Sequence, residues 1–493
     1  MELKIKFLKW STGMLGAMLN KKTADKLGIQ SRDRISIKQI GGKDHKIFTF
    51  INTIAGLIDE DEIAISSETK ERIGLKSGQK VEVLLAESPK SVLYIKKKVD
   101  GKVLSEKEIK AIITDVVDNS LGETEIALFV SGMYERGMTF KETIGLTKSI
   151  LNTGFRVDLP YKIIADKHCI GGIPGNRTTP IVVSICAAGG LIIPKNSSRA
   201  ITSAAGTADV IEAVARIDFT PEEIKKIVRK TGACMVHGGG LGMVPADSRI
   251  IQVEKLLKID PGAQLLASIM SKKLASGSNH VVIDIPIGKG AKFTKSKALD
   301  LKRKFEKLAR YFKVKLECLL TDGAQPIGNG IGPILELLDI IKILDPKQDG
   351  PKDLEDKSLL LSGKLFEMTG KSKKGKGIIL AKKILDSGKA YEKFKEIIKA
   401  QSGSLRKIRL AKYNQEILAE KSGRIYEIVN SDISNLARLA GSPEDKAAGI
   451  YLFHHVGAHV KKGQQLFMIC SESQPRLKQA MEFYKKAKPI KIK

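Results

Sequence analysis

One stretch, residues 166–209, constrains the fold of this chain more than any other. It reads DKHCIGGIPGNRTTPIVVSICAAGGLIIPKNSSRAITSAAGTAD, in which two segments rich in glycine and hydroxyl residues flank the apolar run 181–188. Small residues let a backbone approach a ligand closely, and hydroxyl and N–H groups at strand-to-helix turns bind anions. The stretch therefore predicts a pocket for one phosphate or two. Taken singly, each piece also fits a glycine turn or a helix cap.

The chain around this stretch alternates between strand and helix patterns. The predicted strands are residues 161–165, 281–285 and 316–321, and the predicted helices are residues 221–231, 296–311 and 333–343. Such alternation favours an α/β sheet with helices on both faces. Ligands bind at the carboxyl ends of the strands in such sheets, and residues 166–209 follow the first of these strands.

The N-terminal region contains an internal repeat. The segment LGIQSRDRISI at residues 27–37 matches IGLKSGQKVEV at residues 73–83. Each copy has a helix end, a glycine turn and an alternating strand. The duplication predicts a small pseudo-symmetric β-barrel-like domain, and no cluster of catalytic side chains lies in it.

Patterns along the whole chain predict an α/β protein of four domains. These are an N-terminal β-barrel-like assembly domain (1–88), a helical domain (89–158, with about 256–277), an α/β phosphate- and substrate-binding domain (159–420) and a C-terminal α+β domain (421–493). The helical domain rests on apolar stripes at helical spacing, as at residues 105–119.

Composition excludes several classes of protein. A hydrophobic content of 42% over 493 residues supports sizeable cores. No apolar run reaches the length of a membrane span, and the first residues lack a signal-peptide core, so a cytoplasmic protein without membrane contact is predicted. The five cysteines are far apart and form no CxxC pair, which argues against a disulfide framework or a zinc site.

The net charge of +29 raises the alternative of a nucleic-acid-binding scaffold. One tryptophan and 5% aromatic residues supply few stacking platforms, so nucleic acid is the less favoured partner. His454, His455 and His459 could be metal ligands, but no fourth ligand is evident, and no metal is predicted.

Five motifs carry a resemblance to a known family. They are KHCIGG at 167–172, SSRAITSAAGTAD at 197–209, PAD at 245–247, IDPGAQLLASIMSKK at 259–273 and IDIPIGKGAK at 283–292. Together they resemble the nucleoside phosphorylase family that contains thymidine phosphorylases and archaeal AMP phosphorylases. The similarity runs from about residue 91 to the end, and the N-terminal extension resembles that of AMP phosphorylases.

The resemblance implies a set of site residues. It places substrate contacts at Gly172, Ser198, Arg199, Ala200, Ile201, Thr202, Ser203, Thr207, Ser268 and Lys292. Further phosphate or base contacts are expected at Lys167, His168 and Lys272. The proton-donating acid would be Asp260, which then needs a raised pKa and partial desolvation. Asp260 also fits a helix cap before Pro261.

The resemblance further implies phosphorolysis without any metal or organic cofactor. The favoured reaction converts AMP and phosphate to adenine and ribose 1,5-bisphosphate, and Lys292 suits the 5′-phosphate. The alternative is a thymidine phosphorylase that gives thymine and 2-deoxyribose 1-phosphate, because KHCIGGIPGNRTTP also resembles a second bacterial type of that enzyme. A homo-oligomer, a dimer or larger, is expected.

Two departures from the family pattern bear on the substrate. Cys169 stands where the family usually has serine. The arginine that grips the pyrimidine after PAD is missing, since Val253 and Glu254 occupy the aligned positions. Loss of such a donor costs about 1.5–3 kcal/mol of binding, which weakens the thymidine interpretation.

Overall fold

The computed structural model describes residues 1–8, 10–11, 15–40, 46–200, 203–238 and 242–493. The chain forms two compact units, Met1–Thr153 with Pro245–Ala267 and Gly154–Val244 with Ser268–Lys493. Every helix within the described ranges is too short or too polar to cross a lipid bilayer. The division into four domains remains a prediction.

The first unit begins with a closed six-stranded barrel. Its elements are β1 (Glu2–Phe7), β2 (Gly16–Asn20), α1 (Lys21–Leu27), β3 (Arg34–Gln39), β4 (Lys46–Ile54), β5 (Glu62–Ile65), α2 (Ser67–Ile73) and β6 (Lys80–Leu85). The strand order around the barrel is β1-β5-β2-β4-β3-β6. The predicted repeat is confirmed, because α1 and α2 both end at a left-handed glycine, Gly28 and Gly74, before the paired strands β3 and β6.

Four helices follow the barrel, and a fifth helix of the same unit, Pro245–Leu257, comes from later in the chain. They are α3 (Ser91–Val99), α4 (Glu106–Val117), α5 (Glu123–Arg136) and α6 (Phe140–Asn152). Capping boxes at Ser105 and Thr139 start α4 and α6, as the predicted helical stripes require. The Nζ atom of Lys98 on α3 lies 2.9 Å from Oε1 of Glu142 on α6, and both side chains are buried. This ion pair ties the two helices together.

The barrel and the helices of the first unit also contact each other. Arg34 on β3 is paired with Glu125 on α5 at 2.8 Å. The Nδ2 atom of Asn119 donates to the carbonyl of Phe48 on β4. The barrel is therefore packed onto the helices and not joined to them by the chain alone.

The second unit contains the α/β sheet. Its elements, with α10 and the start of α11 belonging to the first unit, are β7 (Ala165–Cys169), α7 (Thr178–Ala188), β8 (Ile193–Ser197), α8 (Thr207–Glu212), α9 (Pro221–Thr231), β9 (Ala233–His237), α10 (Pro245–Leu257), α11 (Gly262–Ala275), β10 (His280–Ile287), α12 (Lys295–Tyr311), β11 (Lys315–Asp322), β12 (Gly330–Ile331), α13 (Pro333–Leu344), α14 (Lys352–Met368), α15 (Gly377–Asp386) and α16 (Lys389–Ala400). Strands β11, β10 and β7 pair in parallel, as do β8 and β9. A parallel bridge between Ile164 and Ile192 links the two groups into the order β11-β10-β7-β8-β9.

One strand prediction in this unit is wrong. The strand expected at residues 161–165 is β7, Ala165–Cys169, which begins where the apolar run ends. The apolar run fails as a strand because Ile163 is exposed, whereas Asp166 and Lys167 are fully buried. A strand that buries charged residues gives no hydrophobic signal in the sequence. The other two predicted strands, in β10 and β11, and the three predicted helices, in α9, α12 and α13, are confirmed.

The C-terminal part of the second unit is α+β, as predicted. It contains a 3₁₀ turn (Leu405–Lys407), β13 (Tyr413–Leu418), β14 (Gly423–Ile428), α17 (Asn430–Ala440), β15 (Gly449–Leu452), β16 (His459–Val460), β17 (Gln465–Ser471), α18 (Gln474–Ala487) and β18 (Ile490–Ile492). Strands β15, β17 and β13 form one sheet with β12, and β14 pairs with β16 and β18. A buried apolar cluster that includes Ile425, Leu436 and Phe467 holds this part together.

Candidate active site

The first bend, residues 170–177, leaves the carboxyl end of β7 and leads into α7. Lys167, on that strand, is fully buried, and its Nζ atom lies 2.5 Å from Oγ1 of Thr178 and 3.3 Å from Oγ1 of Thr179. Burial lowers the pKa of Lys167. A lysine held in this way gains most from an anion placed beside it.

Two glycines in the first bend have left-handed backbones. Gly171 has φ 81° and Gly172 has φ 95°. A Cβ atom on Gly172 would lie 3.2 Å from Cβ of Lys292, so the glycine lets the two backbones approach closely. The structure therefore brings two predicted contacts, Gly172 and Lys292, to the same place.

Cys169 occupies the position where a serine was expected. Its Sγ atom accepts from the N–H of Gly171 at 3.4 Å and from Nδ2 of Asn176 at 3.2 Å. Burial raises the pKa of the Cys169 thiol to about 11, so the thiol stays protonated near neutral pH. It supports the bend but is a weaker hydrogen-bond donor than a hydroxyl.

The second bend, residues 198–206, follows β8 and folds back on itself. A Cβ atom on Gly206 would lie 2.6 Å from the nitrogen of Ala200 and 2.7 Å from the carbonyl oxygen of Ser198. The Oδ2 atom of Asp209 accepts from the N–H groups of Ala200 and Gly206, at 2.7 Å and 2.8 Å. One buried carboxylate thus closes the loop.

The other members of the second bend have varied surroundings. The Ser203 hydroxyl donates to the carbonyl of Ala205 at 2.9 Å. Ser198 is half-buried at the start of the bend. Ile201 and Thr202, both predicted contacts, lie outside the described residues.

Arg177 joins the two bends. Its NH1 atom lies 3.1 Å from the Thr207 hydroxyl, and its NH2 atom donates to the carbonyl of Ala205 at 2.5 Å. Its Nε atom is paired with Glu336 at 2.6 Å. Sequence reasoning missed this residue, although it lies in the GNRTTP motif as the one cation of the first bend. The expected convergence of the two bends depends on this bridge.

Arg199 has protein carboxylates as partners. Its two terminal nitrogens lie 2.5 Å and 2.6 Å from the carboxylate of Glu212, and NH1 lies 3.3 Å from Asp209. These carboxylates raise the pKa of the guanidinium further. The planar fork that the sequence suggested for a substrate oxyanion is occupied by Glu212 in this structure.

The last turns of α11 bring further lysines to β7. Lys272 and Ser268 share one helix face, as predicted, with Nζ 2.9 Å from the hydroxyl, and both are buried. Lys273 is paired with Asp166 at 2.6 Å, and neither side chain is exposed. This pair fixes α11 to the strand that carries Lys167.

Buried lysines outnumber buried aspartates on the strands and helices around Lys167. Among the described residues of β7, β8, β10, α11 and α14, the buried lysines and carboxylates are Lys167, Lys195, Lys272, Lys273 and Lys357, with Asp166 and Asp284. The buried Asp209 and Glu336 nearby are each paired with an arginine. Burial and the nearby Lys273, Lys195, Lys272 and Lys167 hold the pKa of His168 well below its usual value. The imidazole is therefore neutral at physiological pH. Lysines that are buried in excess of their carboxylates are stabilised by an anion placed beside them.

Ser197, at the end of β8, is a candidate contact that the sequence analysis passed over. Its hydroxyl is buried and, among the residues that the structure describes, has no hydrogen-bond partner. A buried hydroxyl in that state gains a hydrogen bond when a ligand oxygen approaches. The family motif contains both serines, but the resemblance places the substrate contact at the adjacent Ser198.

Asp260 belongs to the first unit. It is half-buried and immediately precedes Pro261, whose carbonyl accepts from the N–H of Leu265 in the first turn of α11. Its role as the acid remains a prediction. Arg249, two residues after PAD, donates to the carbonyl of Val116 and to Oδ1 of Asn119, so it supports the helices of its own unit.

The three histidines considered as metal ligands do not form a metal site. His455 contacts Asn329 at 3.1 Å, and His454 contacts Gln464 at 3.0 Å. Across the described part of the chain, no three His, Cys, Asp or Glu side chains converge to hold a metal ion.

Comparisons with known proteins place this geometry in a family. Three domain models match: a glycosyl transferase family helical bundle domain at residues 92–154, the α/β domain of that family at residues 161–391, and a pyrimidine nucleoside phosphorylase C-terminal domain at residues 424–491. The AMP phosphorylase of Pyrococcus furiosus is 43% identical over 99% of this chain and 97% of its own length. The chain belongs to the thymidine/AMP phosphorylase family.

Other members of the thymidine/AMP phosphorylase family match over a similar length. The AMP phosphorylase of Thermococcus kodakarensis is 42% identical over 100% of this chain and 98% of its own length. The AMP phosphorylase of Methanococcus maripaludis is 40% identical over 99% of this chain and 97% of its own length. A solved structure, the anthranilate phosphoribosyltransferase of Thermus thermophilus, has a TM-score of 0.52 and 18% identity over 62% of this chain and 99% of its own. That likeness shows a shared fold alone.

Proposed function

We propose that this protein cleaves AMP with inorganic phosphate to give adenine and ribose 1,5-bisphosphate. The observation that carries the proposal is the excess of buried lysines, Lys167 foremost, where the glycine-rich first bend meets the hydroxyl-rich second bend. AMP and phosphate both carry negative charge, and such a site lowers the energy of both. The AMP phosphorylases that match the whole chain support the same reaction.

In the proposed mechanism, inorganic phosphate is the nucleophile. One phosphate oxygen forms a bond to C1′ while the bond from C1′ to N9 of adenine breaks, and the electron pair of that bond leaves with the base. The departing base takes up one proton. Catalysis is then mainly the positioning of two anions and the stabilisation of charge, so no activated serine or cysteine is needed.

We assign the phosphate contacts to the two bends. Lys167 would contribute charge, and His168, which is neutral, would contribute hydrogen bonding. The proposed contacts in the second bend and at the elements that flank it are Ser197, Ser198, Ala200, Ile201, Thr202, Ser203 and Thr207. Arg199 would act on these groups through Glu212 and Asp209 and not by touching the substrate.

We assign the base and 5′-phosphate contacts to other elements. Ser268 and Lys272, which share a helix face, would contact the base. Gly172 and Lys292, which approach within van der Waals distance, would hold the 5′-phosphate. This second anion position is what separates a nucleotide from a nucleoside substrate.

Asp260 is the proposed acid that gives the departing base its proton. Asp260→Asn keeps the shape of the side chain but cannot donate an acidic proton, so kcat should fall about 10²–10⁴-fold. Single-turnover measurements with AMP would check this. Turnover close to that of the unmodified protein would leave Asp260 with the role of a helix cap only.

A second candidate function is phosphorolysis of a pyrimidine nucleoside. The match of residues 424–491 to a pyrimidine nucleoside phosphorylase C-terminal domain favours it. A nucleoside substrate carries no 5′-phosphate, so Lys292 would have no such group to bind.

A substrate panel separates the two functions. Purified protein is incubated with phosphate and AMP, CMP, adenosine, uridine or thymidine, and the free base is measured. We expect AMP to be the best substrate. Turnover of thymidine with AMP untouched would contradict the proposal.

Lys292→Ala sharpens the same test. Loss of a charged hydrogen-bond donor should raise the KM for AMP about 10–100-fold. The kcat/KM of any substrate without the 5′-phosphate should change much less. Equal losses for both would mean that Lys292 does not bind that group.

We also propose that the protein is a homo-oligomer of four-domain subunits, with the barrel as the assembly domain. The absence of a catalytic cluster from the barrel sequence supports an assembly role. Sedimentation of the full chain and of a variant lacking residues 1–88 would test it. A monomeric full-length protein would exclude it.

A further inference from the structure

The second bend is held by a group of four charged residues, which we call the clamp: Arg199 of the bend itself, with Asp209, Glu212 and Lys446 from outside it. Arg199 is paired with Glu212 at 2.5 Å and with Asp209 at 3.3 Å. The Nζ atom of Lys446 lies 2.8 Å from Oε2 of Glu212 and 3.7 Å from Oδ1 of Asp209. The clamp thus contains two cations and two carboxylates in contact.

Asp209 connects the clamp to the backbone of the bend. Its Oδ2 atom accepts from the N–H groups of Ala200 and Gly206, which closes the loop, while its Oδ1 atom faces Arg199 and Lys446. A change in the position or charge of Lys446 therefore reaches the loop through one buried carboxylate.

Lys446 enters the clamp from the C-terminal part of the unit. It lies in the turn between α17 and β15, and its carbonyl accepts from the N–H of Ile334 in the first turn of α13 at 3.0 Å. The same helix carries Glu336, the partner of Arg177. Both ends of Lys446 are therefore fixed, so the C-terminal part braces the second bend through this side chain, in addition to the apolar packing of Ala204 in its core.

The charge of the clamp is balanced. Hydrogen bonds from Arg199 and Lys446 lower the pKa of Glu212 to about 2, so this carboxylate stays ionised at any physiological pH. Without Lys446, two carboxylates would face one guanidinium. A net negative charge would then lie beside a loop that binds anions, and the loop would also lose a brace.

We propose that Lys446 is a positioning residue that keeps the second bend in its anion-binding form through Glu212 and Asp209. This inference rests on the proposed function, because it assumes that the bend binds an oxyanion of the substrate. Lys446 itself does not touch the substrate. The C-terminal part thereby contributes to the affinity for phosphate from a turn that carries no substrate contact.

The test compares four variants of the full chain with the unmodified protein. They are Lys446→Met, Lys446→Arg, the double variant Lys446→Met with Glu212→Gln, and Lys461→Met as a control on an exposed turn of the same C-terminal part. Calorimetry gives the Kd of inorganic phosphate, and steady-state kinetics gives kcat and KM for AMP.

We expect Lys446→Met to raise the Kd of phosphate and the KM for AMP about 5–10-fold, with kcat changed less than about threefold. Lys446→Arg should restore most of the affinity, because it keeps the charge. The double variant is balanced in charge but lacks the contact of Lys446 with the clamp. Its affinity for phosphate should therefore fall about 2–4-fold. Lys461→Met should match the unmodified protein.

Several results would overturn the inference. Phosphate affinity in Lys446→Met equal to that of the control would do so, as would a failure of Lys446→Arg to recover affinity. If Lys446→Met does not fold, the balanced double variant decides, since unchanged phosphate affinity in it would show that the brace is dispensable. Phosphate binding without AMP cleavage by the unmodified protein would defeat the proposed function, while the Kd values would still test Lys446.

Discussion

Buried charge serves different ends in the two units of this protein. In the first unit, Lys98 and Glu142 form one buried pair, cation against carboxylate, and Glu142 also accepts from the N–H groups of Leu104 and Thr139. In the second unit, on β7, β8, β10, α11 and α14, five buried lysines lie with two buried aspartates. A balanced pair holds a structure together, whereas a surplus of buried lysines lowers their pKa values and favours a ligand of the opposite charge.

The largest effect is expected from Lys167→Met. The variant removes a cation of the surplus but leaves a side chain of similar length, so AMP turnover should fall about 10³-fold. Stability should stay equal or rise, because no carboxylate loses its only partner. Single-turnover kinetics and urea unfolding measure the two quantities. A stable variant with normal turnover would contradict the assignment of Lys167 to phosphate.

The same substitution in the first unit should have the opposite profile. Lys98→Met leaves Glu142 buried without its cation, which should lower the free energy of unfolding by about 3–5 kcal/mol. The double variant Lys98→Met with Glu142→Gln should recover part of that loss. Urea unfolding measures both. Equal stability of Lys98→Met and the unmodified protein would break the comparison.

The smallest expected effect is on the pH dependence of stability, which should differ between the buried pair of the first unit and the buried lysines of the second. Burial alone would raise the pKa of Glu142, but bonds from Leu104, Thr139 and Lys98 hold it below its usual value. Its contribution to stability is therefore complete above the ordinary pKa of a glutamate, about 4.3, and is lost as the pH falls through the folded pKa. The stability gap between the unmodified protein and Lys98→Met should narrow as the pH falls below that value.

Lys167 should respond at the other end of the pH range. Burial lowers the pKa of Lys167 below 10.5, so the unfolded chain holds this proton more firmly than the folded one. The resulting penalty is relieved as the pH rises from the folded pKa toward 10.5. The stability of the unmodified protein relative to Lys167→Met should therefore increase over that interval. A difference independent of pH would show that Lys167 is hydrated.

Much of the fold was predictable from local patterns. The repeat in the barrel, the capped helices α4 and α6, and the strands β10 and β11 each carry a signal within a few residues. The strand β7 was misplaced because its buried members are Asp166 and Lys167, which a hydrophobic pattern excludes. The charged residues of the candidate site are therefore the reason why the strand that carries them was not predicted.

The motifs of the candidate site could be found in the sequence, but the contacts between its residues could not. Gly172 and Lys292 were expected as contacts, yet their direct approach depends on a backbone path that no spacing specifies. Arg177 and Lys446 escaped notice because their partners, Thr207 and Glu212, are distant in the chain. Pairings of this kind depend on tertiary structure, which one sequence does not encode in any short window.

The closed barrel of the first unit has a consequence for assembly. Each of its six strands is hydrogen-bonded to two neighbours, so the described strands present no open edge to a foreign strand. Subunits that meet at the barrel must recognise one another by the shape and charge of side chains. Growth by strand addition is therefore closed to this module.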